Sequence, residues 1–68
     1  MYSVYIYEVN SKQLIKILKK AGWTLARVRG SHNHFTHPDY GHIVTVPHPK
    51  KDLARPLVQA ILKQAHIE

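Results

Sequence analysis

Polar and apolar positions change their period three times along the chain. Between Asn10 and Ala21, Leu14, Ile17, Leu18 and Ala21 fall at i, i+3, i+4 and i+7, the spacing that lines one side of an α-helix. Lys12, Lys16, Lys19 and Lys20 then point mostly outward. Asn10 with Gln13 three residues on forms a capping-box pattern at the start, and Gly22 supplies a left-handed stop. A two-residue period follows in Trp23 to Arg29, His32 to His37 and His42 to Val46. Gly30-Ser31 and Pro38-Asp39-Tyr40-Gly41 separate these runs with turn chemistry, which predicts an antiparallel meander. Pro47 and Pro49 end the sheet, since neither can donate a ladder hydrogen bond. Pro56 suits the first position of a second helix, which Val58, Ile61, Leu62 and Ala65 carry to about Ala65. Ahead of all this, Tyr2, Val4 and Ile6 alternate with Ser3, Tyr5 and Tyr7, predicting an extra strand over Tyr2 to Val9 that extends the sheet or pairs with another chain along an open edge.

The order helix, three strands, helix predicts an α+β fold with both helices on one face of an antiparallel sheet and the other face open to solvent or ligand. Trp23 after the helix stop and Phe35 in the middle strand are expected in the core, and Tyr40 in a turn. Residues 1–9 form an N-terminal extension and residues 10–68 a single domain, without repeats or linkers.

Length and charge narrow this further. A chain of 68 residues has no room for a doubly wound nucleotide fold, a closed α/β barrel or a repeat array, and it buries only about 60% of its unfolded surface. With no cysteine, neither disulfides nor thiolate metal ligands reinforce so small a core, and a reducing compartment is expected. Ten Lys and Arg against four Asp and Glu give a net charge of +6, which favours a polyanion or an acidic protein as partner. No run reaches the roughly 18 apolar residues of a membrane span, so the expected location is cytoplasmic, without a membrane partner.

The densest chemistry lies in Gly30-Ser31-His32-Asn33-His34-Phe35-Thr36-His37. Gly30 lets a phosphate approach the main chain, and His32 stands at the mouth of the strand. Arg27 and Arg29 precede it, and Lys50 and Lys51 lie just before the last helix. An imidazole among such cations can take the proton of a ribose 2′-hydroxyl, whose oxygen then attacks the adjacent phosphorus. An acid must protonate the leaving oxygen, and His48, His34 or a water are candidates, with His48 favoured because two prolines hold it off the ladder. Two other uses compete. A histidine on an exposed strand is more often a solvated surface group than a catalyst, and His32 and His34 with His42 or His48 could ligate zinc or nickel. Few acidic ligands and the positive charge speak against metal, so neither a metal nor another cofactor is expected. Lys50, Lys51 and Arg55 crowd the second helix start, where the dipole disfavours cations unless an anion binds.

Five blocks in order carry a resemblance: Leu14 through Trp23, Arg29-Gly30-Ser31-His32, Phe35-Thr36-His37-Pro38, Val44-Thr45-Val46-Pro47-His48-Pro49 and Ile61-Leu62-Lys63-Gln64-Ala65. Together they resemble the HicA family of mRNA interferase toxins over about Asn10 to Ile67. The resemblance implies a fold similar to the double-stranded-RNA-binding domain. It also implies a ribosome-independent endoribonuclease that cleaves mRNA and arrests growth, neutralised by a HicB antitoxin that covers the active site. The family's catalytic histidine, the one in Gly-Ser-His, corresponds to His32. Three positions depart from the pattern: residues 1–9 are an addition, Arg55-Pro56 replaces a common Gly-Thr pair, and His66 stands where a Gly often ends the helix. A noncatalytic RNA-binding module and a degenerate toxin that only binds an antitoxin are the alternatives.

Overall fold

The computed structural model describes residues 9–67. Two helices and three strands follow in the predicted order: α1 (Ser11–Lys20), β1 (Thr24–Arg29), β2 (His32–His37), β3 (Tyr40–Pro47) and α2 (Arg55–Gln64). The sheet is antiparallel in the order β1-β2-β3, giving an α+β fold. Of the N-terminal strand predicted over Tyr2 to Val9, residues 2–8 lie outside the described residues. Val9, its last residue, forms an isolated antiparallel bridge with Leu53.

The capping box is present at α1, with the Asn10 side chain accepting from the Gln13 N–H and the Gln13 side chain accepting from the Asn10 N–H. At its other end the Trp23 N–H reaches the Leu18 carbonyl and the Gly22 N–H the Lys19 carbonyl, the paired bonds of a Schellman motif around Gly22 at φ +101°. The same motif closes α2, where the Ile67 N–H reaches the Leu62 carbonyl and the His66 N–H that of Lys63. Here the left-handed residue is His66, at φ +59°.

One face of the sheet carries the core. Cross-strand neighbours share a face, and the rows Leu25–Phe35–Val44 and Val28–Asn33–Val46 lie toward the helices. Phe35, Val44 and Val46 are fully buried with Leu14, Leu18 and Trp23, and Val58, Ile61 and Ala65 of the α2 side close the cluster. Both helices pack against β3, and Leu25 and Val28 of β1 remain exposed.

Three expectations need correction. The stripe of α1 is rotated: Ile17 and Ala21 are exposed, and Ser11, Leu14 and Leu18 are buried. Ser11 turns inward because its backbone and side chain are both tied to Lys50, the N–H donating to the Lys50 carbonyl at 2.9 Å and Oγ accepting from the Lys50 N–H at 2.8 Å. Tyr40 is not a turn residue; it pairs with His37 and opens β3, because Pro38-Asp39 alone makes the connection. The second helix begins at Arg55, so Pro56 takes its second position and Ala65 its C-cap.

Both helices run in the same direction. Ser11 and Leu53, bonded to Lys50 and Val9 respectively, bring the two N-terminal ends together. The C-terminal ends meet at Trp23, His37 and His42.

Candidate active site

The hairpin between β1 and β2 is closed by Gly30-Ser31, with the Arg29–His32 pair beneath it. Gly30 has φ +56°, which a two-residue hairpin with Gly first accommodates. Nothing lies within 4 Å of where a Cβ would stand on Gly30, so the turn is open above. A bulge between Leu25 and Arg27 adds one residue to β1 and reverses the phase of its side chains. Arg27 consequently pairs with His34, and Arg29 with His32. Continued across β2, the rows become Arg27–His34–Thr45 and Arg29–His32–Pro47, on the face opposite the core. Ala26, Arg27, Arg29, His34 and Ile43 line a shallow depression there.

The third strand leads out to the same end. The His48 N–H donates to the Ser31 carbonyl at 2.8 Å, so the segment carrying Lys50 and Lys51 leaves the sheet beside the Gly30-Ser31 turn, and both lysines are exposed. The fold therefore gathers Arg27, Arg29, Gly30, Ser31 and His32 on the open face and its turn, with Lys50 and Lys51 at its rim. His48 is brought close in the backbone but not in the ring: its Nδ1 lies 2.7 Å from Ser11 Oγ, against the start of α1. The side chains of His32 and His48 thus leave the sheet on opposite sides.

The six histidines divide by their partners. His34 Nδ1 lies 2.9 Å from Thr45 Oγ1. His37 Nδ1 accepts from the Asp39 N–H at 3.0 Å, so its proton is on Nε2, which donates to the Ala21 carbonyl at 3.1 Å. The 4.0 Å approach of Asp39 to the same Nδ1 adds no hydrogen bond while that nitrogen accepts. His42 Nε2 lies 2.8 Å from the Gln64 carbonyl, and Trp23 Nε1 donates to the Ala65 carbonyl at 3.2 Å. Three ring N–H groups thereby satisfy carbonyls that helix ends leave without partners. His66 stacks on Tyr40 at 4.2 Å and Tyr40 on Trp23 at 5.7 Å. Only His32 has, among the described residues, no hydrogen bond or stacking partner for its ring, and it is exposed.

The histidine set weighed for zinc or nickel is dispersed among these partners, and no three His, Cys, Asp or Glu among the described residues are grouped to hold a metal. Nor is any helix among the described residues long and apolar enough to cross a membrane. Ser11 was not singled out in the sequence, where a serine following an asparagine cap carries no signal of its own. The structural roles of His37 and His42 were equally hidden, because their carbonyl partners lie 16 and 22 residues away.

No curated protein matches the chain. A chain in the solved structure described as "HicA3 and HicB3 toxin-antitoxin complex" superposes with a TM-score of 0.75 at 34% identity, covering 88% of this chain and 97% of that one. The family model described as HicA toxin of bacterial toxin-antitoxin matches residues 11–67, from the buried serine of α1 to the last described residue. With that span and the shared fold, the chain belongs to the HicA toxin family.

Proposed function

We propose that the chain is an endoribonuclease toxin that cleaves mRNA by internal attack and is neutralised by a HicB-like antitoxin. His32 takes the proton of a ribose 2′-hydroxyl. The oxygen so activated bonds to the adjacent phosphorus, the bond to the 5′-oxygen breaks, and the departing oxygen takes a proton from solvent. The products are a 2′,3′-cyclic phosphate and a free 5′-hydroxyl. Positioned donors stabilise the charge that gathers on the phosphoryl oxygens, and Arg27 and Arg29 on the same face, with Lys50 and Lys51 at the rim, are suited to that. Gly30 and Ser31 keep the turn open to a phosphate. His48, favoured in the sequence over His34 or a water as the acid, has its ring against α1, and solvent supplies that proton.

The observation that carries the proposal is the contrast among the histidines: among the described residues, His32 alone stands exposed without a partner for its ring, in a row with Arg29. The antitoxin reading is supported by the HicA3 and HicB3 complex and by the +6 charge, which speeds encounter with an acidic partner.

Incubating single-stranded RNA with the protein in EDTA, beside His32→Ala, tests it. Fragments ending in 2′,3′-cyclic phosphate, absent with the variant, are expected. Equal RNA retention by both proteins with no fragments would favour a noncatalytic RNA-binding module. Neither retention nor fragments would leave antitoxin binding as the function.

A further inference from the structure

We infer that Ser11 is a positioning residue that fixes the His48 ring with its proton on Nε2, where it donates a hydrogen bond to a phosphate of bound RNA; this rests on the RNA-directed function proposed above. Ser11 is 1% exposed and is not the helix cap, since the Asn10 side chain already accepts the Gln13 N–H. Its hydroxyl therefore needs another reason to be buried. Oγ accepts the Lys50 N–H at 2.8 Å, and its own proton requires an acceptor. Among the described residues that acceptor is His48 Nδ1, at 2.7 Å. The bond made by one ring nitrogen sets the state of the other, so the His48 proton lies on Nε2.

The backbone holds this ring from two further directions. The His48 N–H is bonded to the Ser31 carbonyl, and the Ser11 N–H to the Lys50 carbonyl. His48 is thus pinned between the Gly30-Ser31 turn and α1, half-buried, with no partner for Nε2 among the described residues. Pro49 separates His48 from Lys50 and Lys51, both exposed. A fixed N–H in the same short segment as two exposed lysines suits an anion, and a ring held through Nδ1 contributes binding and orientation through Nε2. Ser11 would then act on RNA through His48, without touching it.

Ring-nitrogen correlation spectra of the ¹⁵N-labelled full chain read the first half of the inference directly. His48 is expected with its proton on Nε2, and Ser11→Ala is expected to give a mixture of both tautomers; a proton on Nδ1 in the unaltered protein overturns the inference. Retention of a single-stranded RNA oligonucleotide reads the second half. His48→Ala should weaken it about 10- to 100-fold, the scale of one hydrogen bond to a charged group. His48→Gln, which keeps a side-chain N–H at similar reach, should recover most of the loss. Ser11→Ala should fall between, and Ser11→Thr, which keeps the hydroxyl, should restore the tautomer. Equal retention by His48→Ala and the unaltered protein overturns the phosphate role even where His32→Ala abolishes cleavage, so the nuclease reading survives that result. Cleavage that persists in His32→Ala while His48→Ala loses RNA has the opposite meaning, sinking the base and sparing His48. A protein that neither retains nor cuts RNA overturns both.

Discussion

The two ends of the sheet hold similar side chains in opposite circumstances. At the end where the helices finish, Trp23, His37 and His42 spend their ring N–H groups on the Ala65, Ala21 and Gln64 carbonyls, and Tyr40 lies stacked between Trp23 and His66. At the end where the helices begin, His32 is exposed beside Arg29, and His48 has one nitrogen engaged and one free among the described residues. Rings within reach of a helix-end carbonyl are spent on it, whereas the His32 ring is left exposed. The difference teaches that a histidine-rich composition is no guide to a metal or to catalysis until each ring's partner is known.

The contrast can be broken by substitution, and His32→Ala should have the largest effect. Cleavage should fall by about 10²–10⁴-fold, the usual contribution of a general base. Stability measured by urea unfolding should stay within about 0.5 kcal/mol, as for other exposed positions. A loss of stability matching the loss of activity would place this ring with the capping ones. Gly22→Ala probes the opposite end, since its Cβ would stand 2.7 Å from His37 Nε2 at a backbone φ of +101°. The left-handed conformation costs about 1–2 kcal/mol with a side chain, and displacing His37 costs about 1 kcal/mol more. A destabilisation of roughly 2–3 kcal/mol is expected on these two counts, with cleavage per folded molecule unchanged.

His42→Ala should cost about 0.5–1 kcal/mol through the loss of its exposed hydrogen bond to the Gln64 carbonyl, again without effect on cleavage. A fall in activity of the folded variant would show that the two ends are coupled. The smallest effect is expected at His66, by thermal unfolding. His66→Gly relieves the left-handed penalty but loses the Tyr40 stack, worth about 0.5–1.5 kcal/mol, so the two nearly cancel. His66→Ala keeps the penalty and loses the stack, and should be the less stable of the pair.

Local patterns were legible in the sequence wherever neighbours in the chain decide them. The Asn10–Gln13 capping box, the left-handed Gly22, the two-residue turn at Gly30-Ser31 and the apolar stripe of α2 all involve residues within a few positions of one another. Tyr40 was misassigned because four turn-favouring residues stand in a row, and only pairing with His37 shows that two suffice. The rotation of α1 was hidden because Ser11 is polar by type and buried by a partner 39 residues away, Lys50. The bulge that sends Arg27 and Arg29 to the face of His32 leaves no mark in the alternation of β1, whose six residues are all exposed. The Gly-Ser-His motif could locate the turn and its histidine, whereas the fates of the other rings depended on contacts spanning 11 to 37 residues.

Because α1 and α2 start together, their dipoles reinforce one another, and the positive poles of both face the Gly30-Ser31 end. Neither helix has an acidic residue in its first turn, while Lys12, Lys50, Lys51 and Arg55 crowd those same starts. Asp52 beside the start of α2 offsets part of this charge, and the remaining like-signed poles and side chains repel one another. A multivalent anion should offset this repulsion: added pyrophosphate is expected to raise the melting temperature more than chloride at equal ionic strength.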